Sequence, residues 1–141
     1  MRAFSTLISA LLLCAVTHAS AQQSLLPQAD GDKVRLSALI EMPNGYLSGI
    51  CVLMMRQEII SGCIFNEFGL TALDFTYDTK KDKVKIDKAM AMFNKWHIKR
   101  TLKNDLKKVF HNLSQGTTDY LNEKRQITYQ FKPIEEDDAQ E

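Results

Sequence analysis

The sequence predicts an α+β domain, an antiparallel sheet covered on one face by a short and a long amphipathic helix. Two observations carry this. Between Val34 and Tyr77 lie short apolar runs, alternating in the first and last and apolar on both sides in the middle two, separated by turn-forming residues, the pattern of strands. After Asp87 the apolar residues recur at steps of three and four, the period of a helix with one greasy stripe. Strands followed by helices place the helices on a face of the sheet.

The elements follow in order. Val34, Leu36, Ala38, Ile40 and Met42 alternate with polar residues, and Pro43-Asn44-Gly45 reads as a tight turn at Asn-Gly. Tyr46–Met55 and Ile59–Phe65 read as a hairpin across Arg56-Gln57-Glu58. If that hairpin is centred on Gln57, Cys51 falls opposite Cys63 and a disulfide can form; the alternative is two free thiols. Both strands are apolar on both sides: Leu47, Cys51, Leu53 and Met55 on one, Ile50, Val52 and Met54 on the other. A strand with one wet face lacks this pattern, so both faces of the sheet are expected to be covered.

Asn66-Glu67-Phe68-Gly69 breaks the run, Leu70–Tyr77 resumes it, and Val84 and Ile86 mark a brief fifth strand. Asp87 is the expected cap of a short helix through Ala89, Met90, Met92 and Phe93, and Asn94 that of a longer one. In the second segment Ile98, Leu102, Leu106, Val109, Phe110 and Leu113 form the stripe. Ser114–Asp119 reads as a loop and Arg125–Phe131 as a last strand, with no repeat or linker dividing the chain.

The ends read differently. Arg2, the apolar run Leu7–Val16 and Ala19-Ser20-Ala21 have the form of a cleaved signal peptide over residues 1–21. The run is about half the ~20 residues that span a bilayer. Residues 22–133 are then one domain and 134–141 a disordered acidic tail. Export predicts a periplasmic location. The alternative is an outer-membrane lipoprotein acylated at Cys14, although Leu13 is larger than the residue that usually precedes such a cysteine.

Removing Arg2 balances 17 basic against 17 acidic residues, which argues against a general nucleic-acid partner. Charge is nevertheless segregated. Eleven basic residues lie between Lys80 and Lys108, against Asp82, Asp87 and Asp105. Within this segment Trp96, beside Lys95 and Lys99, suits a headgroup layer, so Trp96, Lys99, Arg100, Lys103 and Lys107 are candidates for meeting a membrane or anionic surface.

Chemistry-bearing patterns are sparse. His97 and His111 stand fourteen residues apart, not at the one-turn spacing of paired metal ligands on a helix. No nucleophile elbow, phosphate loop or dinucleotide fingerprint occurs. The expectation is a binding protein, not an enzyme, with no cofactor and no metal.

One further pattern is composite. Leu47-Ser48-Gly49-Ile50, then Ile64-Phe65-Asn66-Glu67-Phe68-Gly69-Leu70, then Leu73-Asp74-Phe75-Thr76-Tyr77 precede Ile98-Lys99-Arg100-Thr101-Leu102-Lys103-Asn104-Asp105-Leu106. Together they resemble outer-membrane-associated proteins of the Bacteroidota with a lipoprotein-localisation (LolA/LolB-like) fold, over roughly residues 47–113. The resemblance implies a strongly curved sheet, a partial half-barrel, whose concave side shelters lipid or lipoprotein acyl chains. Residues expected to line such a cavity are Ile50, Val52, Met54, Leu73, Phe75, Met90 and Phe93. An incomplete half-barrel would imply an oligomer. The alternative is an interaction module that offers a sheet edge or its second apolar face to another protein.

Overall fold

The computed structural model describes residues 23–134. The expected signal segment, Cys14 and the acidic tail from residue 135 onward lie outside the described residues.

Seven antiparallel strands form one sheet: β1 Lys33–Met42, β2 Gly45–Arg56, β3 Ile59–Asn66, β4 Thr71–Asp78, β5 Lys83–Ala89, β6 Asp119–Asn122 and β7 Ile127–Pro133. Their spatial order is β5-β4-β3-β2-β1-β7-β6, and the sheet curls into a half-barrel. Among the described residues a single α-helix, α1 (Trp96–Ser114), connects β5 at one edge to β6 at the other. Nineteen residues make a rod of about 28 Å, and α1 contacts both edge strands. The helix therefore lies across the hollow of the curl.

Alternation decides which side chains meet it. Leu36, Ala38 and Ile40 of β1, Leu47, Cys51 and Leu53 of β2, and Ile60 and Ile64 of β3 are buried on the concave face. Leu73, Phe75 and Tyr77 of β4 and Ile127, Tyr129 and Phe131 of β7 join them. Opposite stand Leu102, Leu106, Val109, Phe110 and Leu113 of α1. Phe110 stacks on Tyr77 with centroids 4.7 Å apart. Leu26 in the lead before β1 completes this core, tied by the Leu25 amide to the Leu113 carbonyl at 2.9 Å.

Several expectations are corrected. The β2–β3 turn has two residues, Gln57 and Glu58, both at positive φ (51° and 65°). Such a turn matches the twist of its strands. It moves the register by half a step, so Cys51 pairs with Ile64 and Cys63 with Val52. The two cysteines then point to opposite faces, and both are free. The turn is held by the Asp30 carboxylate, which accepts the Gln57 amide at 2.7 Å, and by the Thr79 hydroxyl, which donates to the Glu58 carbonyl at 2.7 Å. The expected Asn-Gly turn sits one residue earlier, at Pro43-Asn44, with Gly45 already in β2.

The expected short helix is absent. Asp87 stays in β5, where Lys88 pairs with Asp74 and Ala89 with Leu73. Only one 3₁₀ turn, η1 (Ala91–Phe93), fits before α1. Asn94 closes η1, and Lys95 occupies the cap position of α1 with no side-chain hydrogen bond. Beyond α1, Gly116 at φ 80° ends the helix and donates to the Leu113 carbonyl. Asp119, expected to end the loop that starts at Ser114, instead opens strand β6, whose remaining residues Tyr120–Asn122 carried no expectation.

The last correction concerns the sheet's outer face. Among the described residues no element covers it. Ile50, Val52, Met54, Cys63 and Phe65 are half-buried there by lateral packing alone.

Gly62 is set against the Phe75 ring: a Cβ built on it would stand 2.2 Å from a ring carbon. Phe75 is buried and packed at a tilt on Phe110, centroids 5.7 Å apart, so the ring has little room to retreat. Gly62→Ala is therefore expected to destabilise the fold by about 1–3 kcal/mol. Denaturant unfolding checks this, and a loss below about 0.5 kcal/mol would contradict the packing described.

Candidate functional site

The antiparallel arrangement gathers several connections at one end of the sheet. There lie the β1–β2 turn, the β3–β4 loop, η1, the start of α1 and the β6–β7 turn. This rim carries the exposed side chains of Tyr46, Phe68, Leu70 and Trp96. Its β3–β4 loop is shaped by the Asn66 carboxamide oxygen, which accepts the Phe68 and Leu70 amides at 3.0 and 2.9 Å. Gly69 takes φ 76° in the same loop.

A cleft of about 380 Å³ opens on the rim between the β1–β2 turn, η1, the first turns of α1 and the β6–β7 turn. Its apolar lining comes from Met42, Met92, Ile98 and the buried Ile127. Lys95, His97 and Arg125 surround it, all exposed. The volume falls in the range of small-ligand sites, and an apolar wall with few polar groups is their usual make-up. The arrangement suits an amphiphile with an anionic head.

A buried polar cluster fixes one wall of this region. Asp105, on the apolar stripe of α1, is 2% exposed. Its carboxylate accepts the Tyr129 hydroxyl at 2.6 Å and the Asn122 amide at 3.0 Å to each oxygen. Burial, then the adjacent carboxylate, push the Tyr129 phenol well above its ordinary value. A buried carboxylate is costly unless its lone pairs are satisfied. These bonds satisfy it, and they tie α1 to β6 and β7, the strands that carry Arg125 between them.

A second cluster clasps the opposite end. Asp82, at positive φ (53°) before β5, accepts from the Tyr77 hydroxyl at 2.6 Å. It also meets His111 Nε2 at 2.7 Å and Lys107 Nζ at 3.3 Å. The Tyr77 hydrogen bond first, then those of His111 and Lys107, hold the Asp82 carboxyl down to about 2.

The structure divides the expected cavity residues. Leu73, Phe75 and Phe93 are packed in the core, with exposures of 0–2%. Met90 is half-buried beside the rim, and Ile50, Val52 and Met54 lie on the outer face. The seven do not line one cavity, because strand alternation sends them to opposite faces and side chains fill the hollow beneath α1. The expected surface set also divides. Trp96, Lys99, Arg100 and Lys103 share a groove with Lys85, Ile86 and Asn104, while Lys107 turns to Asp82. Burial raises the Cys51 thiol well above its ordinary value; burial and then the hydrogen bond and charge of Asp74 raise Cys63 to about 11. Neither is a ready thiolate at neutral pH.

Asp105 carried a signal in the sequence, since it is an acid three residues after Leu102 inside an apolar stripe. The cleft carried none, because its walls come from four connections that only the sheet register brings together. No family model matches the chain, and no curated protein or solved structure matches it significantly.

Because the Asp82 carboxyl is depressed on folding, its contribution is present above the ordinary value of 3.8 and is lost as pH falls through about 2. The difference in melting temperature between the native chain and Asp82→Asn is expected to hold at pH 4–6 and to close toward pH 2. A difference that widens on acidification would contradict the clasp.

Proposed function

We propose that the protein binds an apolar or amphiphilic ligand of the lipid acyl class, without catalysis, in the rim cleft. The observation that carries this reading is the pairing of an apolar wall (Met42, Met92, Ile98, Ile127) with basic side chains (Lys95, Arg125) around one opening. Methionines adapt to a flexible chain, and the bases fit a carboxylate or phosphate head. The reading of residues 1–21 as an export signal supports binding in the periplasm or at the outer membrane. The resemblance to the lipoprotein-localisation fold supports the same ligand class, with the site at the rim instead of beneath the helix.

A second reading has its own support. Ile50, Val52, Met54 and Phe65 form an uncovered apolar strip on the outer face, a surface that suits protein–protein contact.

Native mass spectrometry of the chain from Gln22 onward, titrated with octanoate, decanoate and dodecanoate, tests the first reading. One ligand per chain is expected, with affinity rising about fourfold per methylene until the cleft is filled. Met92→Asp is expected to weaken dodecanoate binding at least about tenfold with little change in melting temperature. Absence of a bound mass would overturn the reading, and a dimer free of ligand would favour the outer face.

A further inference from the structure

The first turns of α1 present two flanks. Lys95, His97, Ile98 and Thr101 belong to the cleft, whereas Trp96, Lys99, Arg100 and Lys103 face the other way, towards β5. On that second flank Lys85 and Ile86 of β5 complete a shallow groove of about 500 Å³. Four cationic side chains line it. The acid nearest along β5 is Asp87, which lies 3.7 Å from Lys85 Nζ.

Trp96 is the unusual member. It is 75% exposed, and its ring has one aromatic neighbour, His97, met edge-on at 5.7 Å. An indole left in water beside Lys99, Arg100 and Lys103 forgoes burial that a core position would provide. A headgroup layer offers its apolar body a greasy environment, its N–H a partner and the neighbouring bases their counter-charges.

We propose that the β5–α1 flank docks onto an anionic lipid surface, with Trp96 in the interfacial layer and Lys85, Lys99, Arg100 and Lys103 against the headgroups. The charge pattern favours lipid over nucleic acid. The basic residues form a short patch around one aromatic side chain on a chain of near-neutral balance, not an extended basic track. The groove holds no buried polar side chain, so it presents a surface instead of a pocket for a soluble anion. Docking there would set the cleft beside the bilayer, but the proposal does not depend on the cleft being occupied.

Trp96 is the chain's sole tryptophan, so its emission reports the contact directly. The chain from Gln22 onward contains every described element and is mixed with vesicles of phosphatidylglycerol and phosphatidylcholine, or of phosphatidylcholine alone. The expected result is a blue shift and co-sedimentation with the anionic vesicles only, both reversed near 1 M salt. Lys99→Gln/Arg100→Gln/Lys103→Gln is expected to weaken partitioning by a few hundredfold at most and roughly a hundredfold at centre. The matched outer-face variant Lys33→Gln/Arg35→Gln/Lys132→Gln changes net charge equally and is expected to bind nearly as the native chain does. Circular dichroism verifies that both variants fold. Unshifted emission, equal binding to neutral vesicles or equal loss in the two variants would overturn the proposal. So would tighter binding to duplex DNA through the same bases. If dodecanoate still binds while vesicles do not, the docking surface fails and the cleft reading stands.

Discussion

The structure depends on the filling of a curved sheet's hollow side by α1. Curling brings Leu36, Ile40, Leu53, Ile60, Ile64, Phe75 and Tyr129 towards a common centre, where their exposure falls to 0–2%. The stripe from Leu102 to Leu113 is the complementary surface. Each fully buried large aliphatic or aromatic side chain contributes about 1.5–3 kcal/mol relative to exposure, so this contact dominates anything the surface ion pairs supply. One polar exception sits in the middle, Asp105, and its bonds to Tyr129 and Asn122 make the docking of α1 specific in position as well as favourable.

That filling sets where a ligand can go. Leu106, Val109 and Phe110 are buried in the hollow beneath the helix, and the cleft opens instead where the elements end. At the rim the β1–β2 turn, η1, the first turns of α1 and the β6–β7 turn frame that cleft. The first turns of α1 then separate an apolar cleft from a basic groove. In this architecture the helix is both the plug of the half-barrel and the partition between its two exposed surfaces.

Much of the fold was legible in the sequence for a physical reason. Strands β1 and β4 alternate because one face is buried, β2 and β3 stand out as apolar runs bounded by turn residues, and α1 shows its stripe because it lies on a single surface. Strand β6 was hidden because Asp119–Asn122 is short, at the edge and only half apolar. The short helix was misread because Ala89, Met90, Met92 and Phe93 have helical spacing while β5 pairing reaches Ala89. The cysteine pairing failed on half a step of register, set by positive φ at Gln57 and Glu58, which neither residue type announces. The apolar outer positions Ile50, Val52 and Met54 suggested a second covered face, yet they shield one another with Phe65. The resemblance anticipated the curl; which side chains would fill it depended on long-range packing.

The central claim is that the hollow is filled and ligand contact occurs at the rim. Methyl chemical-shift mapping during a dodecanoate titration tests it most directly. The account predicts shifts at Met42, Met92, Ile98 and Ile127, with Ile60, Ile64, Leu106 and Val109 unmoved. Shifts concentrated at those four core methyls would show that the ligand enters beneath α1 and would contradict it.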